Sequence, residues 1–209
     1  MGKWIVFCIV GIVLLSGCDN PKRPSKTNFK HAINAYFEKN GRVCIPIVQK
    51  FPIDLAASNL DDRYGTAPEL AALEKAGLVH SFSTTAAIKG MMDALRGPSK
   101  PQAVKRYELT DQGKKYFQQY PTLFGQAEGF CYGQERVGSI VKWDEPMTQG
   151  GYSVTSVTYT YRVDGLASWA QLPDMQRVFP IIKMIIDQAN INQVAQLHLT
   201  NNGWEVNGF

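Results

Sequence analysis

The sequence contains few of the residues from which metal centres and active sites are commonly built. Its three histidines (His31, His80 and His198) are far apart, and no CxxC or HxxxH spacing occurs. Because zinc sites draw on closely spaced Cys and His ligands, the sequence predicts no metal site and no cofactor. The GxSxG, HExxH, P-loop and GxGxxG patterns are absent too, so no catalytic residue is assigned.

Neither sign of charge is in large excess. The chain has 22 basic and 18 acidic side chains, which gives a net charge of +4. Residues 1–17 contain one basic residue and no acidic one, so the net charge without them is +3. Because nucleic-acid binding needs a concentrated basic face, no nucleic-acid partner is expected.

No hydrophobic run is long enough to span a bilayer. The apolar stretch of residues 4–15 follows Lys3 and is much shorter than the roughly 20 residues that a transmembrane helix needs. The small residues Ser16 and Gly17 then precede Cys18. This layout is typical of a secretory signal peptide rather than of a membrane span.

The tetrapeptide Leu15-Ser16-Gly17-Cys18 resembles the lipobox of bacterial lipoproteins. The resemblance implies that residues 1–17 are a signal peptide cleaved before Cys18, and that Cys18 carries the lipid. Several acyl chains together attach a protein firmly to a membrane. Asp19 resembles the residue that retains enteric-type lipoproteins in the inner membrane. The implied location is the periplasmic face of the cell inner membrane, or the outer membrane where that sorting does not operate.

The four cysteines divide into two pairs on this interpretation. Cys8 leaves with the signal peptide and Cys18 takes the lipid, so Cys44 and Cys131 remain. An even number of cysteines in an oxidising compartment favours a disulfide between them. Two buried free thiols are the alternative, because unpaired cysteine is among the most buried residue types.

Residues 18–28 are predicted to form a tether, since they contain two prolines and no apolar anchor. Their basic residues Lys22, Arg23 and Lys26 either lie near anionic phospholipid or are ordinary solvated linker residues. A first domain is predicted over residues 29–125, and it begins with an amphipathic helix over residues 29–40.

The rest of this first domain has a recognisable local pattern. A helix starting at Thr66, with Thr66 and Glu69 at capping-box spacing, is followed by strands over residues 78–82 and 104–109. A helix capped by Thr110 then carries Tyr116, Phe117 and Tyr120 on one side. The segments LxxLEKxGLV (70–79) and RYELTDxGK (106–114) resemble the wing region of winged-helix regulators. That resemblance implies a fold, whereas Glu69 and Glu74 beside Lys75 disfavour contact with DNA phosphates.

Residues 83–103 stand where a regulator has a short wing tip. Ile88, Met91, Met92 and Leu95 recur at helical spacing, which predicts a short amphipathic helix. Its apolar stripe either contacts the membrane or a partner, or folds back onto its own domain.

A second domain is predicted over residues 126–209. Strands are expected over residues 136–143 and 152–163, and a hairpin over residues 194–206. The segment 169–179 predicts a short helix broken by Pro173 and closed by Pro180, and the run 181–186 fits either a helix or a buried strand. The acidic side chains Glu128, Glu135, Asp144 and Glu145 are interpreted as solvated surface.

The fold class expected overall is α+β, with a winged-helix-like domain followed by a small antiparallel-sheet domain. The expected function is that of a non-catalytic interaction or binding module, held by its lipid in the membrane and joined to an envelope protein partner. Two alternatives stay open: an envelope enzyme acting on peptidoglycan or lipid, and a membrane-surface sensor.

Overall fold

The computed structural model describes residues 20–88, 100–122 and 125–207. Cys18 and Asp19 lie outside these residues, as do Met91, Met92 and Leu95. The described chain combines helices with two antiparallel sheets, so the predicted α+β class with antiparallel sheets is confirmed.

The elements follow one another in a mixed order. The helices are α1 (Lys26–Asn40), α2 (Thr66–Lys75), α3 (Asp111–Tyr116), α4 (Pro173–Val178) and α5 (Pro180–Gln188). The first five strands are β1 (Arg42–Pro46), β2 (Ile53–Ala56), β3 (Val79–Ala86), β4 (Gln102–Leu109) and β5 (Phe117–Thr122). The others are β6 (Gly125–Trp143), β7 (Met147–Gln149), β8 (Tyr152–Asp164), β9 (Gln193–Thr200) and β10 (Gly203–Val206).

The larger sheet is organised around the long strand β6. Its order is β1-β6-β8-β9-β10, with β5 also pairing with β6 and β7 with β8. Phe130 of β6 lies opposite Ile45 of β1 on one side and opposite Phe117 of β5 on the other. Elements from both predicted domains therefore share this sheet.

Helix α1 packs against both β6 and β10, so the run β6-β8-β9-β10 curls around it. Phe29, Ile33 and Phe37 supply its buried face, and Ser25 caps its start by accepting a hydrogen bond from the Asn28 amide. Past the residues of β6 that pair with β1, the side-chain oxygen of Asn34 in α1 accepts a 2.9 Å hydrogen bond from the Val137 amide of β6. The helix thus takes the place of a neighbouring strand.

The smaller sheet has the order β2-β4-β3. At one end of it, the backbone just before β3 contacts the start of α3. Thr110 caps α3 by accepting a hydrogen bond from the Gly113 amide, as predicted. The Thr110 hydroxyl also bonds the carbonyl of Gly77 at 2.7 Å. Gly113 lies so close to Leu78 that a Cβ at this position would be 1.8 Å from the Leu78 carbonyl oxygen.

Two apolar cores result. One lies around α1, with Phe29 making edge-to-face contacts with Trp143 and Trp204. The other joins β1, β6, α2 and the small sheet to the segment that contains α4 and α5, with Trp169 and Phe130 inside it. Ile185 of α5 packs against both cores.

Several sequence predictions are corrected locally. Helix α3 ends at Tyr116, and Phe117 and Tyr120 belong to β5 instead. Thr66 does not cap α2, because Gly65 occupies the cap position and no side chain bonds there. A helix does end just before Pro180, at Val178, and Pro180 also begins α5. Pro173 begins α4 rather than breaking a helix, since the first turn of a helix leaves amide groups without partners and tolerates proline. Residues 181–186, which the sequence allowed to be a helix or a buried strand, belong to helix α5.

Candidate functional site

The best-defined candidate region is a turn formed by residues 20–25, immediately before α1. The side-chain amide of Asn28 donates to the carbonyl of Asn20 at 2.9 Å and to the carbonyl of Arg23 at 2.8 Å. The Arg23 amide closes the turn by donating to the Asn20 carbonyl. Asn28 therefore ties these residues to the start of the helix.

The same turn is attached to the far end of the chain. The indole nitrogen of Trp204 donates a 3.1 Å hydrogen bond to the carbonyl of Lys22. Pro21 packs against Gly203, where a Cβ would lie 3.1 Å from the Pro21 carbonyl oxygen. Residues 20–25 of the predicted tether thus form a fixed turn, and Lys26 onward belongs to α1.

Basic side chains lie in this turn and at the start of the helix that follows it. We call Lys22, Arg23, Lys26 and Lys30 the N-terminal basic surface; all four are exposed. Lys26 and Lys30 are one helical turn apart, and the first turn of α1 contains no acidic residue. None of the four forms an ion pair with any residue that the structure describes.

Cys44 and Cys131 form a disulfide, which confirms the predicted pairing. The two residues are direct cross-strand partners in β1 and β6. The bond joins positions 87 residues apart in the chain and thereby fixes the first strand to the central one.

The predicted apolar stripe is described at only one of its four positions. Ile88 is half-buried and follows the end of β3. Met91, Met92 and Leu95 lie outside the described residues. The contact assigned to these four side chains stays a prediction.

Helix α2 is the helix that the winged-helix resemblance places in the recognition position, and two of its three charged side chains, Glu74 and Lys75, have partners within the chain. Lys75 forms an ion pair with Asp174, and Glu74 accepts hydrogen bonds from Lys105 and Ser81. Hydrogen bonds from Arg177 and Lys75 lower the pKa of Asp174 to about 2. The helix packs against α4, which leaves it unlike a free recognition helix.

Between α2 and the segment leading into α4 lies a groove of about 360 Å³. Its lining is mostly apolar, apart from the Lys75–Asp174 pair: Ala72, Ala76, Leu172, Pro173 and Met175. Leu172 is exposed, and so are Ile181 and Met184 of α5. We call this the α2–α4 groove.

A second ion pair lies on the smaller sheet. The guanidinium of Arg106 in β4 binds both carboxylate oxygens of Asp54 in β2, at 2.7 and 2.8 Å. This hydrogen bonding from Arg106 lowers the pKa of Asp54 below its ordinary value. The pair joins neighbouring strands and has a structural role.

Of the four acidic residues expected on the solvated surface, Asp144 and Glu145 are exposed, whereas Glu128 and Glu135 are half-buried. Glu135 lies on β6, between Tyr132 and Val137 of the two cores. Burial raises its pKa to about 7. Burial and the Glu135 charge also raise the pKa values of Tyr159 and Tyr161 to about 12. Sequence reasoning missed this site because the burial of Glu135 depends on strand pairing with β8.

Two further observations concern the described residues alone. In residues 20–88, 100–122 and 125–207, no three His, Cys, Asp or Glu side chains are grouped closely enough to hold a metal ion. Across these same ranges, the helices are all too short or too polar to pass through a membrane.

No protein-family profile, no curated protein and no solved structure matches this chain.

Proposed function

We propose that this protein is a lipoprotein of the cell envelope, anchored through Cys18 to the periplasmic face of the inner membrane. There it serves as a non-catalytic interaction module for an envelope protein partner. Asp19 is the residue that retains it in the inner membrane. Cleavage before Cys18 removes residues 1–17, including Cys8.

The observation that carries this proposal is the Cys44–Cys131 disulfide. Disulfides persist in oxidising compartments such as the periplasm and are rare in the cytosol. The bond is independent of the first 18 residues, yet it supports the same destination as the lipobox. It also commits Cys44 and Cys131 to each other, so that Cys18 is the free cysteine of the mature chain.

The proposed fold of residues 53–116 is winged-helix-like. It is supported by the strand order β2-β4-β3, by α2 preceding the β3–β4 hairpin, and by the joint between Leu78 and Gly113. DNA binding is not part of the proposal, because Lys75, the one basic side chain of α2, is paired with Asp174, and the acidic Glu69 and Glu74 would repel phosphates. We regard the module as a scaffold whose partner is a protein.

The α2–α4 groove is the surface we assign to that partner. Its apolar lining and the exposed side chains of Leu172, Ile181 and Met184 suit a protein contact with an apolar centre. Leu172 is the side chain most directly placed to test it, because it is exposed and also lines the groove.

The anchor is tested by Cys18→Ser with Cys8→Ser as the matched control. Cells are labelled with radioactive palmitate and then separated into membrane and soluble fractions. We expect Cys18→Ser to lose the label and to leave the membrane fraction, while Cys8→Ser retains both. Membrane retention of unlabelled Cys18→Ser protein would contradict the anchor.

The interaction role is tested by photo-crosslinking in intact cells. A photoreactive residue at position 172 is expected to give a discrete protein adduct, whereas the same residue at the exposed loop position 48 gives none. Absence of an adduct at position 172 would contradict the assignment of the groove to a protein partner.

A further inference from the structure

We propose that the N-terminal basic surface lies directly on anionic phospholipid headgroups and thereby fixes one orientation of the domain on the bilayer. This inference rests on the proposed anchor at Cys18. It adds a second contact between the protein and the membrane, made by Lys22, Arg23, Lys26 and Lys30.

The first step is the distance between the lipid and the fold. Asn20 begins the fixed turn and is two residues after Cys18. Two extended residues span about 7 Å at most, whereas an extended tether of residues 19–28 would reach about 33 Å. The attachment point of the lipid is therefore held close to the turn, and the domain cannot stand away from the headgroups.

The second step is the rigidity of the turn. Three hydrogen bonds from side chains outside the turn hold it: two from Asn28, to the carbonyls of Asn20 and Arg23, and one from Trp204 to the carbonyl of Lys22. Asn28 of α1 and Trp204 of β10 thus both hold the turn in place. A lipid attached next to this turn therefore constrains the position of the whole domain relative to the membrane.

The third step is charge complementarity. The four cations of the N-terminal basic surface have no ion-pair partners among the described residues. A Lys or Arg side chain near an anionic membrane surface increases binding about fivefold. Between residues 19 and 30 the sequence has one carboxylate, Asp19, and four positive charges. The occupant that fits is a phospholipid bearing net negative charge.

The experiment uses the full lipidated chain in three environments: detergent micelles, phosphatidylcholine vesicles and vesicles containing phosphatidylglycerol. Lysines are acetylated with a reagent that does not cross membranes, and each site is quantified by mass spectrometry. We expect acetylation of Lys22, Lys26 and Lys30 to fall at least about threefold on phosphatidylglycerol vesicles relative to micelles. The controls Lys50 and Lys115, exposed and far along the chain, should react equally throughout.

Raising the salt concentration should restore most of this acetylation, because screening weakens contacts between charges at the surface. Asn28→Ala releases the turn, so we expect Lys30 to regain its reactivity on the vesicles. Asn40→Ala is the matched control, since Asn40 also lies on α1 and donates to a backbone carbonyl, that of Tyr36. It should leave the protection unchanged.

Equal acetylation of Lys22, Lys26 and Lys30 in micelles and on phosphatidylglycerol vesicles would overturn the proposal. Protection found in native envelope membranes but absent from pure lipid vesicles would also overturn it, by assigning this surface to a partner protein. Flotation of the vesicles reports the lipid anchor separately. Protein that floats without lysine protection refutes the orientation alone, whereas protein that does not float refutes the anchor.

Discussion

The indole nitrogen of Trp204 donates a 3.1 Å hydrogen bond to the carbonyl oxygen of Lys22, a residue 182 positions earlier in the chain. Trp204 belongs to the last strand, and its ring also packs edge-to-face against Phe29 of α1. One side chain therefore holds the beginning of the described chain to its end.

Trp204→Phe is expected to remove this hydrogen bond while keeping an aromatic ring in the core. The loss should lower the free energy of unfolding by about 1 kcal/mol, measured by urea denaturation. Trypsin should cut the Lys22–Arg23 bond faster, because the turn is no longer held. Trp143→Phe, which alters the other tryptophan against Phe29, is the control. Equal cleavage rates in the two variants would show that the indole bond does not hold the turn.

Gly113→Ala tests the joint between α3 and β3. An added Cβ would lie 1.8 Å from the carbonyl oxygen of Leu78, so the backbone must shift. Overpacking of this kind costs about 1–3 kcal/mol, and we expect the free energy of unfolding, measured by urea denaturation, to fall by that amount. Gln112→Ala, at the exposed neighbouring position of the same helix, should be close to wild type. A stable Gly113→Ala variant would mean that α3 does not pack here as described.

Glu135 predicts a dependence of stability on pH. Its pKa in the folded protein is about 7, above the ordinary value of 4.5, so the folded state holds the proton more tightly. The resulting stabilisation is full below about pH 4.5, falls as the pH rises towards 7, and is lost above it. After allowance for solvent screening, we expect a loss of about 2 kcal/mol over this range.

Glu135→Gln should remove that part of the pH dependence and make the protein more stable than wild type at pH 8. Urea unfolding at pH 4.5, 6 and 8 measures it. Glu145→Gln, at an exposed position, should keep the wild-type profile. If Glu135→Gln shows the wild-type slope between pH 4.5 and 7, another group is responsible.

Removal of the disulfide should destabilise the domain through the unfolded state. The bond closes a long loop between residues 87 positions apart, and its loss commonly costs roughly 2–4 kcal/mol. The double variant Cys44→Ala and Cys131→Ala should therefore unfold at lower urea concentration, and a reducing agent should shift wild type in the same direction. Cys18→Ser retains the bond and should show no such shift with oxidised protein.

Local signals in the sequence were sufficient where short-range chemistry decides the structure. Thr110 caps its helix because its hydroxyl reaches the Gly113 amide three residues later. The hairpin of β9 and β10 follows from alternating residues on either side of a turn at Asn201 and Asn202, which Gly203 follows. The disulfide was predictable once the signal peptide and lipobox were considered, because these left an even number of cysteines.

Features that depend on distant partners could not be read in the same way. Phe117 and Tyr120 have a spacing compatible with a helix, yet pairing with β6 draws them into a strand. The tether composition of residues 20–25 gives no sign that Trp204 binds them. In the sequence, Glu135 looks like any surface carboxylate, because its burial depends on the pairing of β6 with β8.

The contact between Asn34 and the Val137 amide bears on self-association of the protein. A strand edge with free amide and carbonyl groups is a template for pairing with another chain. An open edge on β6 would therefore favour growth into aggregates. By lying along that edge, α1 protects the central strand from self-association in addition to filling the core.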